Sequence, residues 1–149
     1  MKSIKAIIGE RETITVERLT SIVDAARLMK SHQIGALPVL DGERLVGIFS
    51  ERDVLNRVVA AERNPAATAV GDVMSTDLVV ADVAESYVAC LNRMQQAHVR
   101  HLIVLDGGRL AGIVSLRDVL AADLDEKAEE LTMLNAYVHY IPAHLQIRT

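Results

Sequence analysis

The sequence predicts an α+β protein in which one strand–helix–strand–strand–helix unit is used twice. Three observations carry this expectation. Gly47-Ile48-Phe49-Ser50-Glu51-Arg52-Asp53 returns as Gly112-Ile113-Val114-Ser115-Leu116-Arg117-Asp118, with Gly, Ile, Ser, Arg and Asp at the same spacing. The offset of 65, from Gly47 to Gly112, holds without a gap from about Ile14 to Leu55, and also pairs Ser21, Val23 and Met29 with Ser86, Val88 and Met94. A fixed period over that length marks one structural unit copied twice. In each copy, Asp41-Gly42 or Asp106-Gly107 stands between two apolar runs, the strongest short hairpin signal.

Taken in order, Ile4 to Ile8 is a short apolar piece that fits a strand or a helical turn, and Gly9-Glu10-Arg11-Glu12 breaks it. Thr13-Ile14-Thr15-Val16 is β-branched and reads as a short strand. Ser21 to Gln33 reads as a helix with Ile22, Ala25, Ala26 and Met29 on one face, and Ser21 with Asp24 resembles a capping box. Leu37 to Leu40 and Arg44 to Phe49 form the hairpin, and Ser50 opens a helix running to about Ala61. The linker spans Glu62 to Thr68, and Val70 to Met74 starts the second copy. Leu78 to Ala81, Ser86 to Ala97, His101 to Leu105 and Arg109 to Val114 repeat the first three strands and the helix, and a last helix begins at Ser115. Beyond Ala121, Leu124, Ala128, Leu131, Leu134, Val138 and Ile141 recur every three or four residues, which predicts a helix with one apolar seam ended by Pro142. The expected division is residues 1–66 for the first unit with its N-terminal extension, 67–122 for the second, and 123–149 for the terminal helix and tail.

Composition bounds the function. Half of the 149 residues are hydrophobic and only 3% aromatic, so the core is built from aliphatic side chains. A net charge of −4 gives no electrostatic footprint for nucleic acid. The single cysteine, Cys90, excludes an internal disulfide and a cysteine-rich zinc site, and its place in the repeated helix predicts a buried core residue. No apolar run approaches ~18 residues and no signal pattern opens the chain, so a soluble cytoplasmic protein without membrane contact is expected.

Two tandem units of this pattern, each closing on Gly-hydrophobic-x-Ser-x-x-Asp behind an Asp-Gly hairpin, resemble a pair of CBS domains, named after cystathionine β-synthase and also called a Bateman module. The resemblance covers about Thr13 to Ala122. It implies two units packed about a pseudo-twofold axis, with two clefts between them that bind adenosine-containing ligands such as AMP, ADP, ATP, S-adenosylmethionine or NAD(H). It also implies a sensor rather than a catalyst.

The repeated residues suit that task. Ser50 and Asp53, and likewise Ser115 and Asp118, lie on one face of a first helical turn, beside free backbone N–H groups and the positive end of the helix dipole. A carboxylate there can accept hydrogen bonds from both ribose hydroxyls, and the serine can bond ribose or phosphate. Gly47 and Gly112, lacking Cβ, permit close backbone approach. The same Ser-x-x-Asp pattern is also a capping box that needs no ligand. Arg52 and Arg117 are expected either to reach phosphate or to be solvated.

Arg100-His101 resembles the basic pair many CBS domains aim at phosphate, whereas Gly35-Ala36 stands at the matching place in copy one. Copy two carries Ile103 where copy one has Pro38, the residue the family places beside adenine. These differences, with Glu51 opposite Leu116 in the alignment, predict inequivalent clefts: the second preferring phosphate-rich ligands, with an affinity rising toward pH 6 as His101 protonates. His98 and His101 have metal-like spacing but no carboxylate or Cys nearby in sequence, and His139 and His144 read as surface residues. No nucleophile–base pair, P-loop or dinucleotide glycine fingerprint is present.

The expected function is therefore a non-enzymatic sensor of an adenosine nucleotide, with no obligatory cofactor. It would act as a homodimer and signal through an effector protein or a change of assembly. The alternatives are an interaction module with empty clefts and, more remotely, a nucleotide-using enzyme.

Overall fold

The computed structural model describes residues 1–139. Its elements are α1 (Ile4–Ile8), β1 (Val16–Glu17), α2 (Ile22–His32), β2 (Ala36–Asp41), β3 (Arg44–Ser50), α3 (Glu51–Asp53), α4 (Val70–Val73), β4 (Val80–Asp82), α5 (Tyr87–Ala97), β5 (His101–Asp106), β6 (Arg109–Ser115) and α6 (Leu116–His139). After α3 the chain stays helical with π geometry over Val54–Val59, where Ala60 N–H bonds the carbonyl of Leu55, five residues back. The predicted helix over 50–61 is thus present in a widened form.

The repeat is legible in the coordinates. Each unit holds a three-stranded sheet, with its first strand parallel to the second and the second antiparallel to the third. Hairpin registers match, from Ala36 opposite Ser50 to Asp41 opposite Arg44, and from His101 opposite Ser115 to Asp106 opposite Arg109. Both carry an irregularity at the same place, between Val39 and Leu40 and between Val104 and Leu105. Ser21 and Ser86 cap α2 and α5 by accepting from the N–H three residues on. Gln33 and His98 end those helices in the left-handed region, at φ of 53° and 55°.

Chain order and packing do not coincide. Ile4 and Ile8 of α1 are buried in the second unit's core with Tyr87, Cys90, Met94, Leu102 and Val114. Val70 and Val73 of α4 are buried in the first unit's core with Ile22, Ala25, Leu37, Phe49 and Val58. Backbone bonds fix the exchange: Ile4 N–H donates to Glu85 and Lys5 N–H to Val83, while Val70 N–H donates to Thr20 and Gly71 N–H to Arg18. Gly71 is required there, since a Cβ would stand 2.9 Å from the Arg18 carbonyl. The segment opening each copy therefore completes the other copy's core, so cutting the chain at the linker would expose apolar surface on both halves.

Two strands are displaced from their sequence-based places. β1 begins at Val16, not Thr13, and β4 runs Val80–Asp82 rather than Leu78–Ala81. Thr13 instead donates its hydroxyl to the Ala111 carbonyl at 3.0 Å, a bond to the opposite unit.

α6 is one continuous 24-residue helix, so the second unit's last helix and the predicted appendix are a single rod. Val119 and Ala122 bury its first turns. Tyr87 hydroxyl donates to Asp123 at 2.9 Å beside Glu126, and burial together with these carboxylates pushes the phenol far above its usual range. The seam residues Leu124, Leu131, Leu134 and Val138 do not pack on the body but stay exposed. Ile141, Pro142 and His144 lie outside the described residues.

Candidate functional site

The exchange of α1 and α4 sets each Ser-x-x-Asp helix start against the other unit's leading segment. Two clefts result. The larger, of about 1180 Å³, is walled by Gly112, Ser115, Arg117 and Asp118 on one side, and by Arg11, Thr13, Ile14, Gly35, Ala36 and Glu51 on the other. The smaller, of about 530 Å³, joins Ser50, Arg52 and Asp53 to Thr76, Asp77, Val79 and Ile103. Arg100 and His101 border both. Assigning them to copy two's cleft alone, as the sequence suggested, does not hold. The turn before the second hairpin thus lies between the clefts, whereas Gly35, Ala36 and Glu51 line only the larger one, with Asp118.

Ser115 and Asp118 form a reciprocal capping box. Ser115 N–H donates to Asp118 Oδ2 at 3.0 Å, and Asp118 N–H donates to Ser115 Oγ at 3.0 Å. Arg11 Nη1 also donates to Asp118 Oδ2 at 3.3 Å, while its Nη2 reaches the Ile113 carbonyl at 3.5 Å. Asp118 Oδ1 takes no hydrogen bond among the described residues, and the side chain is 30% exposed on the cleft wall. One carboxylate oxygen thus holds the helix, and the other takes no partner among the described residues, on a side chain that lines the cleft.

Asp53 is committed differently. Its Oδ2 accepts from Ser50 N–H at 2.9 Å and from Ser50 Oγ at 3.2 Å, and its Oδ1 faces Arg57 Nε at 3.6 Å. The side chain is only 10% exposed. Arg57 in turn donates to the carbonyls of Val73 and Met74 at 3.0 Å each, pinning the segment after α4 over this cleft.

The glycines diverge as well. A Cβ on Gly112 would meet nothing nearer than Ile8 at 3.6 Å. On Gly47 it would meet Met74 Sδ at 2.4 Å and the Ser75 carbonyl at 2.9 Å. Gly47 therefore makes room for the chain's own Met74-Ser75, not for a ligand, and borders neither cleft. Pro38 also borders neither, being buried within β2 opposite Ile48. The repeated motif concealed this because the clashing residues, Met74 and Ser75, lie outside it, just after α4.

Sequence reasoning missed Arg11, Thr13 and Ile14 on the larger cleft, and Arg57, Thr76 and Asp77 on the smaller. A signal existed: continued past Ile14, the 65-residue alignment pairs Arg11 with Thr76 and Glu12 with Asp77. His101 stands between the clefts, with Nε2 3.6 Å from where a Gly35 Cβ would be. Burial pushes its pKa down, against the upward pull of Glu51 and Asp118. Among the described residues no group of three or more His, Cys, Asp or Glu is placed to hold a metal ion, and His98 and His101 gain no third ligand. Cys90 is fully buried, and burial pushes its thiol up to about 11. No helix among the described residues is long and apolar enough to cross a membrane.

Two pseudo-symmetric units sharing exchanged helices, with two clefts at helix starts, define a tandem two-unit architecture. The CBS domain family model matches residues 4–60 and 70–125, and the chain belongs to the CBS domain family as a CBS domain pair. It is 33% identical over 124 residues to the CBS domain-containing protein YhcV of Bacillus subtilis, covering 83% of this chain and 88% of that protein. It is 32% identical over 123 residues to the mitochondrial CBS domain-containing protein CBSX3 of Arabidopsis thaliana, a match over 79% of this chain that spans only 60% of that protein's length. A solved CBS-domain protein of Burkholderia ambifaria superposes with a TM-score of 0.79 at 32% identity, over 83% of this chain and 95% of that one. The fold is shared with the CBS domain pair of protein MJ0100, solved in complex with 5′-methylthioadenosine and S-adenosyl-L-methionine (TM-score 0.73, 24% identity, 84% of this chain and 98% of that one).

Proposed function

We propose that this CBS domain pair is a non-catalytic regulatory module whose larger cleft binds an adenosine-containing ligand, with Asp118 accepting the ribose hydroxyls. The observation that carries the reading is the unshared Oδ1 of Asp118, on a side chain that lines a cleft between two units while its Oδ2 caps the helix. Ile14, Ala36, Ile113 and Ala121 offer apolar wall for a base, and Arg11, Arg100 and Arg117 supply cations for phosphate or another anion. The start of α6 adds N–H groups and a positive dipole end. The MJ0100 pair's two adenosyl ligands support the class, since they show what this fold accommodates.

Signalling follows from the site's construction. Ligand bound between two units stabilises one relative arrangement over others by its differential affinity, and an effector protein reads that arrangement. Ser50, Arg52 and Asp53 form a lesser site, in which the carboxylate already serves the protein's own serine and arginine.

Titration calorimetry with AMP, ATP, NADH and S-adenosylmethionine tests the reading. One of them should bind wild type, and Asp118→Asn should weaken it roughly tenfold to a hundredfold, the effect of losing charge-assisted hydrogen bonds. Failure of all four to bind, or equal binding by Asp118→Asn, overturns it.

A further inference from the structure

We propose that Arg11 determines which adenosine-containing ligands the larger cleft accepts. It yields Asp118 to the ribose and takes the ligand's first phosphate instead, so the cleft selects nucleotides over phosphate-free adenosyl compounds. This rests on the reading of Asp118 as the ribose acceptor.

The acceptor positions on Asp118 show why Arg11 must give way. Each carboxylate oxygen offers about two of them. Oδ2 uses both, one for Ser115 N–H at 3.0 Å and one for Arg11 Nη1 at 3.3 Å. A ribose diol that sets one hydroxyl on each oxygen therefore needs a position on Oδ2 as well as the open Oδ1. The Ser115 bond belongs to the reciprocal cap, and losing it leaves the N–H of the capping residue unpaired. The Arg11 position is the one that can be released.

Arg11 is held loosely. Its Nε reaches the Ile8 carbonyl at 3.3 Å, its Nη1 reaches Asp118 at 3.3 Å, and its Nη2 reaches the Ile113 carbonyl at 3.5 Å. All three exceed the usual N–H···O range of about 2.7–3.2 Å. The side chain is 49% exposed, so little burial is lost when it turns. The backbone around it is tied independently. Arg11 N–H donates to the Ile8 carbonyl at 3.2 Å, and the Thr13 hydroxyl donates to the Ala111 carbonyl at 3.0 Å. The guanidinium is thus free to change partners while the segment joining α1 to β1 stays in place.

Charge then decides between ligands. A released Arg11 remains beside the ribose position, because that is where it starts. It regains a strong partner only if the ligand carries an anion close to the ribose, as the first phosphate on the 5′ carbon does, and a guanidinium binds phosphate through two N–H groups. The other charged residues on the cleft are Lys30, Arg100 and Arg117 against Glu12 and Glu51, three cations to two carboxylates, which also favours an anion. A phosphate-free ligand detaches Arg11 and leaves it without a partner. The smaller cleft has no such device, since Thr76 aligns with Arg11 and the cation on Asp53 is Arg57, four residues along the same helical segment.

Titration calorimetry with AMP and adenosine, which differ only in the phosphate, tests the exchange on wild type, Arg11→Ala and Arg11→Lys. Wild type should bind AMP at least about tenfold tighter than adenosine, the effect of a hydrogen bond to a charged group. Arg11→Ala should weaken AMP roughly tenfold for the same reason. It should tighten adenosine roughly two- to fivefold, because the ribose no longer displaces a half-exposed ion pair. Arg11→Lys keeps the charge and should restore most of the preference for AMP. A purely structural Arg11 would move both ligands in the same direction, so changes of one sign, or none, overturn the exchange. So does wild type that binds adenosine as tightly as AMP, or that binds S-adenosylmethionine but neither AMP nor ATP. Each of these leaves the ribose reading of Asp118 standing, whereas failure of every adenosine-containing ligand to bind wild type overturns both.

Discussion

Replacing Gly47 and Gly112 by alanine, one at a time, separates two positions that the repeat makes identical. At Gly47 the added methyl would stand 2.4 Å from Met74 Sδ and 2.9 Å from the Ser75 carbonyl oxygen. Met74 can swing its sulfur aside, but the Ser75 carbonyl accepts Ile48 N–H at 2.9 Å, and Ser75 N–H returns a bond to Ile48. Relieving the contact therefore strains or breaks that bridge. Overpacking of this kind costs about 1–3 kcal/mol. Removing glycine's freedom in the unfolded chain returns about 0.4–1 kcal/mol. The net loss is about 1–2 kcal/mol, or roughly 2–8 °C in Tm for a chain of this size. At Gly112 the nearest atom is 3.6 Å away, so the conformational gain stands alone and Tm should hold or rise slightly. Thermal melting by circular dichroism gives both values. A neutral Gly47→Ala, or a Gly112→Ala that melts lower than Gly47→Ala, would refute the assignment of Gly47 to self-packing.

Other outcomes follow from the same geometry. Asp53→Ala should cost about 1–3 kcal/mol of unfolding free energy in urea titrations by leaving Ser50 N–H and Arg57 without their acceptor, whereas Asp118→Asn, which keeps an acceptor for Ser115 N–H, should cost less and act mainly on ligand affinity. His101 is half-buried and desolvation lowers its pKa, which favours the neutral ring in the folded chain. Its contribution to stability is complete above the ordinary value of about 6.5 and is lost as pH falls below it. Urea melts between pH 7.5 and 5 should show that loss in wild type and less of it in His101→Gln. Any protonation-linked gain in affinity for a phosphate ligand should likewise set in below about pH 6.5, lower than an exposed imidazole would give. Cys90, fully buried with its thiol raised to about 11, should resist a thiol reagent until urea unfolds the chain. Rapid labelling of native protein would refute its place in the core.

Much of the fold was written in local signals. The serines capping α2 and α5, the Asp-Gly turns, the alternation in the hairpins and the glycine-to-aspartate motif are all short-range, and a repeated unit shows them twice. What lay beyond reach was long-range. Nothing in Ile4-Lys5-Ala6-Ile7-Ile8 says that it packs beside Tyr87 and Cys90 rather than on its own copy's sheet. The motif helices were found, but their opposing walls were not, since Arg11 to Ile14 join Asp118 across about a hundred residues. A turn breaker and a β-branched run were the only local readings available for that segment. The placement of Arg100 and His101 between both clefts is of the same kind, because it depends on the twofold packing and not on either copy.

The unequal clefts arise from differences outside the repeated motif. Asp53 and Asp118 cap helices in the same way, each taking the N–H of the serine three residues before it. They part at the second oxygen. In copy one, Arg57 comes from the widened helix after the motif, faces Asp53 Oδ1, and holds Val73 and Met74 over the cleft. In copy two the aligned position is Ala122, which is buried against the body and has no side chain to offer a carboxylate. The cation that reaches Asp118 is instead Arg11, from the far wall, and it binds the oxygen already engaged by the cap. Where Arg11 stands over one cleft, the alignment puts Thr76 over the other. Two substitutions outside the motif, Arg57 against Ala122 and Arg11 against Thr76, thus leave one duplicated carboxylate occupied and the other with an open oxygen. The duplicated motif supplies two equivalent helix caps, and its unduplicated surroundings determine which of them keeps a carboxylate oxygen without a protein partner.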